Sequence, residues 1–216
     1  MPKRITYLEA RADKSREAFR AHWSTTHADI ARGLPGVTAY RQNHVLKTVL
    51  EPGSDGGYRV DGIVELWFAD DDVVQAGFDS DVADKLIVDE LNFLSGLTGG
   101  PVTAEATHPP WPFKLWVLAR WAEPSPDAVE RWAEQLVTTY DGALGWSVDV
   151  LVPGAKLLVR EALRREEHIP EVAVSVGFVD EASARKAAKS VGESLENVSD
   201  VLTRVQGCVA EEIVII

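Results

Sequence analysis

His27 is the residue in this chain best placed to do chemistry. It follows Phe19 and Trp23 at intervals of four, and Ile30 follows it by three, so the four share one helix face. Three apolar partners make that the packed face, and the imidazole is expected to point at the core rather than at water. An imidazole titrates near neutral pH, so an inward one can take or give a proton. The plain alternative is a buried histidine satisfied by a backbone carbonyl. Residues that could join it recur on two strand-like runs. Tyr40, Gln42 and His44 alternate on one face of residues 37–46, and Asp61, Ile63, Glu65 and Trp67 on one face of 61–68. The other face of the second run, Val64, Leu66 and Phe68, is apolar and is expected to meet a second sheet, which leaves Glu65 and Trp67 facing the helices. The expected site takes His27, Tyr40, His44 and Glu65 as its catalytic groups. Phe19, Trp23, Gln42, Asp61 and Trp67 surround a substrate.

The elements that must carry these residues occur twice. Residues 12–19 align with 122–129, and 64–70 with 174–180, both at an offset of 110. The run Thr107-His108-Pro109-Pro110-Trp111-Pro112 has three prolines in six residues and divides the copies, giving domains at 1–108 and 109–216. The first copy reads as a strand over 5–11, a helix from an N-cap at Ser15 to about Arg32, and strands over 37–46 and 61–68. A loop at 51–57, helices from Asp70 and over 81–94, and a strand over 101–107 complete it. The second reads as strands at 113–121, 147–152, 172–179 and 208–216, with helices at 125–140, from Asp180 to about 191, and at 194–205. Strand–helix–strand twice over in each copy is the ferredoxin-like βαββαβ plan, an α+β fold. One such sheet has an open face, and two copies in one chain can cover each other as a barrel with helices outside. The copies differ where His27, Glu65 and Trp67 are matched by Val137, Ser175 and Gly177, so the first is expected to hold the site and the second to complete the barrel.

The segment Phe19-Arg20-Ala21-His22-Trp23-Ser24-Thr25-Thr26-His27-Ala28, then Leu34-Pro35-Gly36, Tyr40-Arg41-Gln42-Asn43-His44-Val45 and Asp61-Gly62-Ile63-Val64-Glu65-Leu66-Trp67-Phe68, resembles the EthD-like family of the dimeric α/β-barrel superfamily. The resemblance covers roughly residues 3–107. Family members usually pair two subunits, whereas here the second copy lies in the same chain. The resemblance implies a pocket between sheet and helices for a small hydrophobic or aromatic molecule of aromatic, polyketide or catabolic metabolism. It narrows the fold more than the reaction; an inward histidine near carboxylate, phenol and indole groups, with no metal or nucleotide motif, suggests a lyase, cyclase or isomerase working without a cofactor. His27 would move the proton, Tyr40 or His44 would steady an enolate oxygen, Glu65 would orient an imidazole, and Trp23, Trp67 and Phe19 would stack on the substrate. Two alternatives stay open. One is an oxygenase on the same fold, cofactor-free or holding haem on His27, His44 or His168. The other is a protein that binds a hydrophobic metabolite without converting it.

Composition narrows the partners. There are 22 Lys and Arg against 34 Asp and Glu, a net charge of −12, and the longest basic feature, Arg164-Arg165, runs straight into Glu166-Glu167. Binding to nucleic acid or an anionic membrane needs clustered cations and is not expected. No apolar run approaches the ~20 residues of a membrane span, and no leader follows Met1-Pro2-Lys3-Arg4. A single cysteine, Cys208, points to a reducing cytoplasm, and its apolar neighbours to an inert buried thiol. No nucleotide or metal motif is present, and Asp70-Asp71-Asp72 reads as a helix start. His22, five residues from His27, falls on another side of a regular helix and reads as exposed; His108 and His168 read as solvated. Whether fused barrels associate further is left open.

Overall fold

The computed structural model describes residues 1–51, 59–103 and 108–216. The first copy runs through β1 (Lys3–Ala10), α1 (Arg16–His22), a π-helical turn (Trp23–His27) and α2 (Ala28–Ala31). It continues through β2 (Val37–Leu50), β3 (Gly62–Phe68), α3 (Asp71–Phe78), α4 (Asp81–Phe93) and β4 (Leu94–Thr103). The second has β5 (Phe113–Trp121), α5 (Pro126–Thr139), β6 (Ala143–Leu151), a two-residue β7 (Leu158–Val159), β8 (Val172–Phe178), α6 (Glu181–Ser194), a 3-10 turn (Leu195–Val198) and β9 (Leu202–Val214). The expected N-caps are in place: Ser15, Asp70 and Asp180 accept from the backbone N–H groups of Ala18, Val73 and Ser183.

Two differences from the sequence reading have clear causes. The fourth strand begins at Leu94, directly on leaving α4, rather than at residue 101. Gly96, Gly99 and Gly100 hide it, because glycine has low strand propensity. Gly99 is there for close approach, since a Cβ would lie 2.4 Å from the Ile5 carbonyl oxygen of the neighbouring strand. The helix expected over 194–205 is one 3-10 turn, after which the chain is already strand by Leu202. The expected strand end at 104–107 and most of the loop at 51–57 lie outside the described residues.

The strands form two four-stranded antiparallel sheets, β4-β1-β3-β2 and β9-β5-β8-β6. Their edges join. β2 pairs β9 from Arg41↔Val214 to Leu50↔Gly207, and β4 pairs β6 at Val102↔Leu151 and Thr103↔Val150. The result is a closed eight-stranded barrel with no free edge, with β7 added beside β4 at Thr98↔Val159. Helices lie outside. Leu8, Phe19, Trp23, Tyr40, Val64, Phe68 and Phe93 pack in the layer between the first sheet and its helices. Val129, Trp132, Val172, Val174, Val176, Phe178 and Val191 do so in the second.

The barrel lumen takes the opposite strand faces, which corrects the expected orientation of β3. Val64, Leu66 and Phe68 face the helices, while Ile63, Glu65 and Trp67 point into the lumen. One end of the lumen is apolar, with Ile5, Tyr7, Ile63, Trp116 and Leu118. The other carries buried ions. Lys3 Nζ lies 2.9 Å from Glu65 and 2.8 Å from Asp149, and Lys114 Nζ lies 2.5 Å from both Glu65 and Glu212. Asn43 Nδ2 donates to the same Glu65 carboxylate at 2.9 Å. Burial alone would raise the Glu65 carboxyl, but Lys114 and Lys3 more than reverse this and hold it well below the usual carboxylate range. Trp67 lies between Lys3 and Arg41, 4.8 and 4.9 Å from its ring centre. His108, expected in solvent, stacks on Trp111 at 3.6 Å over this end of the lumen. Gly177 makes room for the indole, since a Cβ there would sit 2.2 Å from it. That close approach is why the second copy has glycine where the first has Trp67.

Lys114→Met leaves Glu65 one cation short and Glu212 without its close one, all out of water. A stability loss of about 3–5 kcal/mol is expected by urea unfolding. Adding Glu65→Gln is expected to recover much of it, and a loss under about 1 kcal/mol in the single variant would show that the lumen ions are not coupled.

Candidate active site

The first helix owes its shape to its own hydroxyls. Ser24 Oγ donates to the Arg20 carbonyl at 2.8 Å and Thr25 Oγ1 to that of Ala21 at 2.6 Å. Such back-bonding competes with the helical ladder. The ladder slips by one residue there, and the Ala28 N–H reaches the Trp23 carbonyl five residues back. The amide of Gln42 donates to that same carbonyl at 2.8 Å. Residues five apart come into line across a π turn, so His22 and His27 lie on one side. This overturns the expectation of a solvated His22. Both imidazoles meet Asp89 of α4: His27 Nδ1 is 2.9 Å from Oδ2, and His22 Nε2 is 2.9 Å from Oδ1.

Burial of Asp89 opposes its ionisation, but the hydrogen bonds from His27, His22 and Asn92 outweigh that and hold its carboxyl at about 2. The ionised carboxylate only accepts, so His27 donates through Nδ1–H, which in a neutral ring leaves the lone pair on Nε2. Nε2 has no hydrogen-bond partner among the described residues, and His27 lines a cavity between the first sheet and its helices. The cavity walls are mostly apolar, including Leu8, Leu34, Val64, Leu66, Leu86 and Leu97, and leave about 60 Å³ of room for water-sized molecules.

Tyr40 lines the same cavity. Its phenol oxygen accepts from Trp23 Nε1 at 3.1 Å and from Gln42 Nε2 at 2.9 Å. With both lone pairs used, its own O–H is left to donate, and no acceptor for it occurs among the described residues. Burial pushes the phenol up to about 12, so it stays protonated. His44 lies behind these groups. Its Nε2 donates to Gln42 Oε1 at 3.0 Å, its ring packs 4.3 Å from Trp23, and burial together with Arg20 brings it down to about 3. It stays neutral and acts on Tyr40 through Gln42.

The structure therefore gathers His27, Tyr40, Trp23, Gln42 and His44 on one side of the first sheet, with Phe19 packed against Trp23 and Phe93. Glu65 and Trp67 lie on the other side of that sheet, in the lumen. The only imidazole near Glu65 among the described residues is that of His108, with Nε2 4.0 Å away, so Glu65 does not orient His27. Asp61 stands at the barrel end, where it accepts from the Ala10 N–H and pairs with Arg59 at 2.9 Å beside a separate cleft. Cys208 is buried and its thiol is pushed up to about 12 by desolvation, which keeps it inert. Among the described residues no cluster of three or more His, Cys, Asp or Glu could hold a metal.

Three residues of this site escaped the sequence reading. Asp89 and Glu90 sit between Leu86 and Phe93 on the buried face of α4, and two acids on an apolar helix stripe were the available signal. Arg160 had none. It comes from the second copy, just after β7, and pairs with Glu90 through Nε at 2.6 Å and Nη2 at 3.1 Å. With Leu158 it closes one wall of the cavity. Haem does not fit these residues. The His27 cavity is far smaller than the macrocycle, His44 is committed to Gln42 behind Trp23, and His168 is exposed.

Two ferredoxin-like copies closed edge to edge, helices outside and a pocket between one sheet and its helices, define a dimeric α/β barrel folded from a single chain. Within it, residues 11–96, in the copy that carries His27, match the EthD domain family. Solved structures of the same fold span nearly the whole chain. An anthrone oxidase-like protein aligns with TM-score 0.62 and 7% identity over 98% of this chain and 91% of its own. A proposed monooxygenase from Lactobacillus acidophilus aligns with TM-score 0.54 and 10% identity over 99% and 94%. A dye-decolorizing peroxidase from Bacteroides thetaiotaomicron aligns with TM-score 0.54 and 6% identity over 97% and 92%. At these identities the likeness is one of fold. No curated protein matches the chain. Among the described residues no helix is long and apolar enough to cross a membrane.

Two outcomes follow from this geometry. The folded pKa of His44, about 3, lies below its unfolded value of about 6.5, so unfolding takes up a proton between those limits and stability falls as pH drops through them. His44→Phe is expected to flatten the dependence of unfolding free energy on pH by about 1.4 kcal/mol per unit in that window; an unchanged slope would contradict the buried neutral imidazole. Arg160→Ala should speed entry of an apolar fluorescent probe into the His27 cavity, measured by stopped flow. The exchanged pair Glu90→Arg with Arg160→Glu should slow it again.

Proposed function

We propose that the EthD copy is a cofactor-independent acid–base catalyst acting on a small, largely apolar carbonyl compound. The single observation behind this is that His27 lines an apolar cavity with Nδ1 anchored on a buried carboxylate and Nε2 without a hydrogen-bond partner among the described residues. In the proposed reaction Nε2 takes a proton from the carbon beside a substrate carbonyl. The C–H electrons move into the carbon–carbon bond and onto oxygen, giving an enolate. Asp89 stabilises the imidazolium through Nδ1–H. Tyr40, neutral and with a free O–H, donates to the enolate oxygen. The proton then returns at a different atom, or a leaving group departs, so isomerisation, elimination and cyclisation share this first step.

The other residues take supporting parts. Gln42 holds Tyr40 and is itself held by His44, while Trp23 and Phe19 shape the wall. Glu65, Trp67 and Asp61 serve the barrel rather than the substrate. Residues 1–108 carry the chemistry, and 109–216 close the barrel and supply Leu158 and Arg160. Given the present room in the cavity, a substrate enters when the Glu90–Arg160 contact parts. A buried free thiol at Cys208 fits a reducing compartment such as the cytoplasm.

The test uses cyclic ketones and 1,3-diketones in D2O, with deuterium incorporation at the α-carbon followed by NMR. Exchange above the buffer rate is expected. His27→Gln should lower it about 10²–10⁴-fold, and Tyr40→Phe should lower it by a smaller factor without unfolding the protein. A ligand that raises the melting temperature with no exchange would instead make this a binding protein.

A further inference from the structure

We propose that His22 is a positioning residue for His27. It holds the Asp89 carboxylate so that His27 keeps its proton on Nδ1 and presents a bare Nε2 to the cavity. The inference rests on the reading of His27 as the proton acceptor and assigns a second histidine to the same site.

The geometry is a three-group chain. The two oxygens of Asp89 are divided between two imidazoles, each at 2.9 Å. His22 is the most exposed of the three: the side chains of His27 and Asp89 are 11% and 8% exposed, and that of His22 is 27% exposed. The ring of Phe93 lies 5.0 Å from the His27 ring and 4.9 Å from the His22 ring, covering both with carbon and leaving the carboxylate as their shared polar partner. Without His22, Oδ1 would keep only the Asn92 amide at 3.4 Å, a weak hold. The carboxylate could then rotate toward water, and His27 would lose the acceptor that fixes its tautomer.

His22 can play this part only because of the π turn. In an unbroken α-helix, residues five apart diverge by roughly 140° about the axis. The slip caused by Ser24 and Thr25 brings both rings to one side of α4. Asp89 is a double acceptor, so no proton passes through it from one ring to the other; His22 acts by holding the carboxylate still.

The tautomers can be read from histidine side-chain 15N shifts in the full 15N-labelled chain at about pH 8.5, where a free imidazole is neutral. The wild type should show His27 protonated on Nδ1 and His22 on Nε2. His22→Leu should shift His27 toward the Nε2–H form. His22→Gln, whose amide can still donate to Asp89, should restore the wild-type signature. Asp89→Asn should shift both rings. Unchanged His44 and His108 signals report an intact fold, and His22→Asn, too short to reach Asp89, replaces the leucine variant if that one does not fold. A His27 that stays on Nδ1–H in the leucine and asparagine variants, or a wild-type His27 protonated on Nε2, would overturn the proposal. No turnover is needed for this readout. Tautomers as expected, together with an active His27→Gln enzyme, would sink the functional reading while leaving the positioning role of His22 in place.

Discussion

Glu65 stands in the barrel lumen with Lys3 from β1 and Lys114 from β5 against its two carboxylate oxygens. Taking such charges out of water costs several kcal/mol for each ion, and only close, mutual pairing offsets it. That pairing exists when the barrel is closed, because Lys3 and Glu65 come from the first copy, while Lys114, Asp149 and Glu212 come from the second. The ions therefore act as a register device between the copies. They are fully matched in one relative placement of the two sheets and unmatched in any slipped one.

The same constraint decides where a ligand can go. With one end of the lumen filled by ions and the other by packed side chains, the cavity that His27 lines lies between the first sheet and its helices, apart from the cleft beside Asp61 at the barrel end. The strand face turned that way carries Tyr40, Gln42 and His44 on β2 and an apolar stripe on β3, so the cavity is greasy with a polar end. The helix above contributes His27 through a turn loosened by Ser24 and Thr25. Irregular helix turns of this kind are frequent at functional sites, since they aim side chains that a regular helix would spread apart. The second copy keeps a regular helix and an apolar residue, Val137, at the matching place.

Much of the fold was legible in the sequence, for identifiable reasons. The 110-residue offset, the proline-rich divider and the alternation on each strand reflect local rules of the chain, and they gave the ferredoxin-like repeat, the caps at Ser15, Asp70 and Asp180, and the inward face of the first helix. The site was legible in part. His27, Tyr40, Gln42, His44 and Trp23 lie on one side of the first sheet, as spacing along a helix or strand predicts, because that spacing fixes which residues share a face. Glu65 and Trp67 were grouped with them wrongly. In a closed barrel both faces of every strand are buried, and polarity does not tell the lumen from the helix layer. The charges paired in the lumen, Lys3, Lys114 and Arg41 with Glu65, Asp149 and Glu212, made it the polar side.

The sequence by itself determined the repeat, the residues that share each face and the asymmetry that sets His27 in the first copy against Val137 in the second. Only the tertiary structure decided which face looks into the lumen, and only it brought His27 to Asp89 across 62 residues and Glu90 to Arg160 across 70. Periodicity acts within one element. The pairing of a carboxylate with a distant imidazole or guanidinium depends on how elements dock, and docking is settled by the closure of the barrel and by the ions that fix its register.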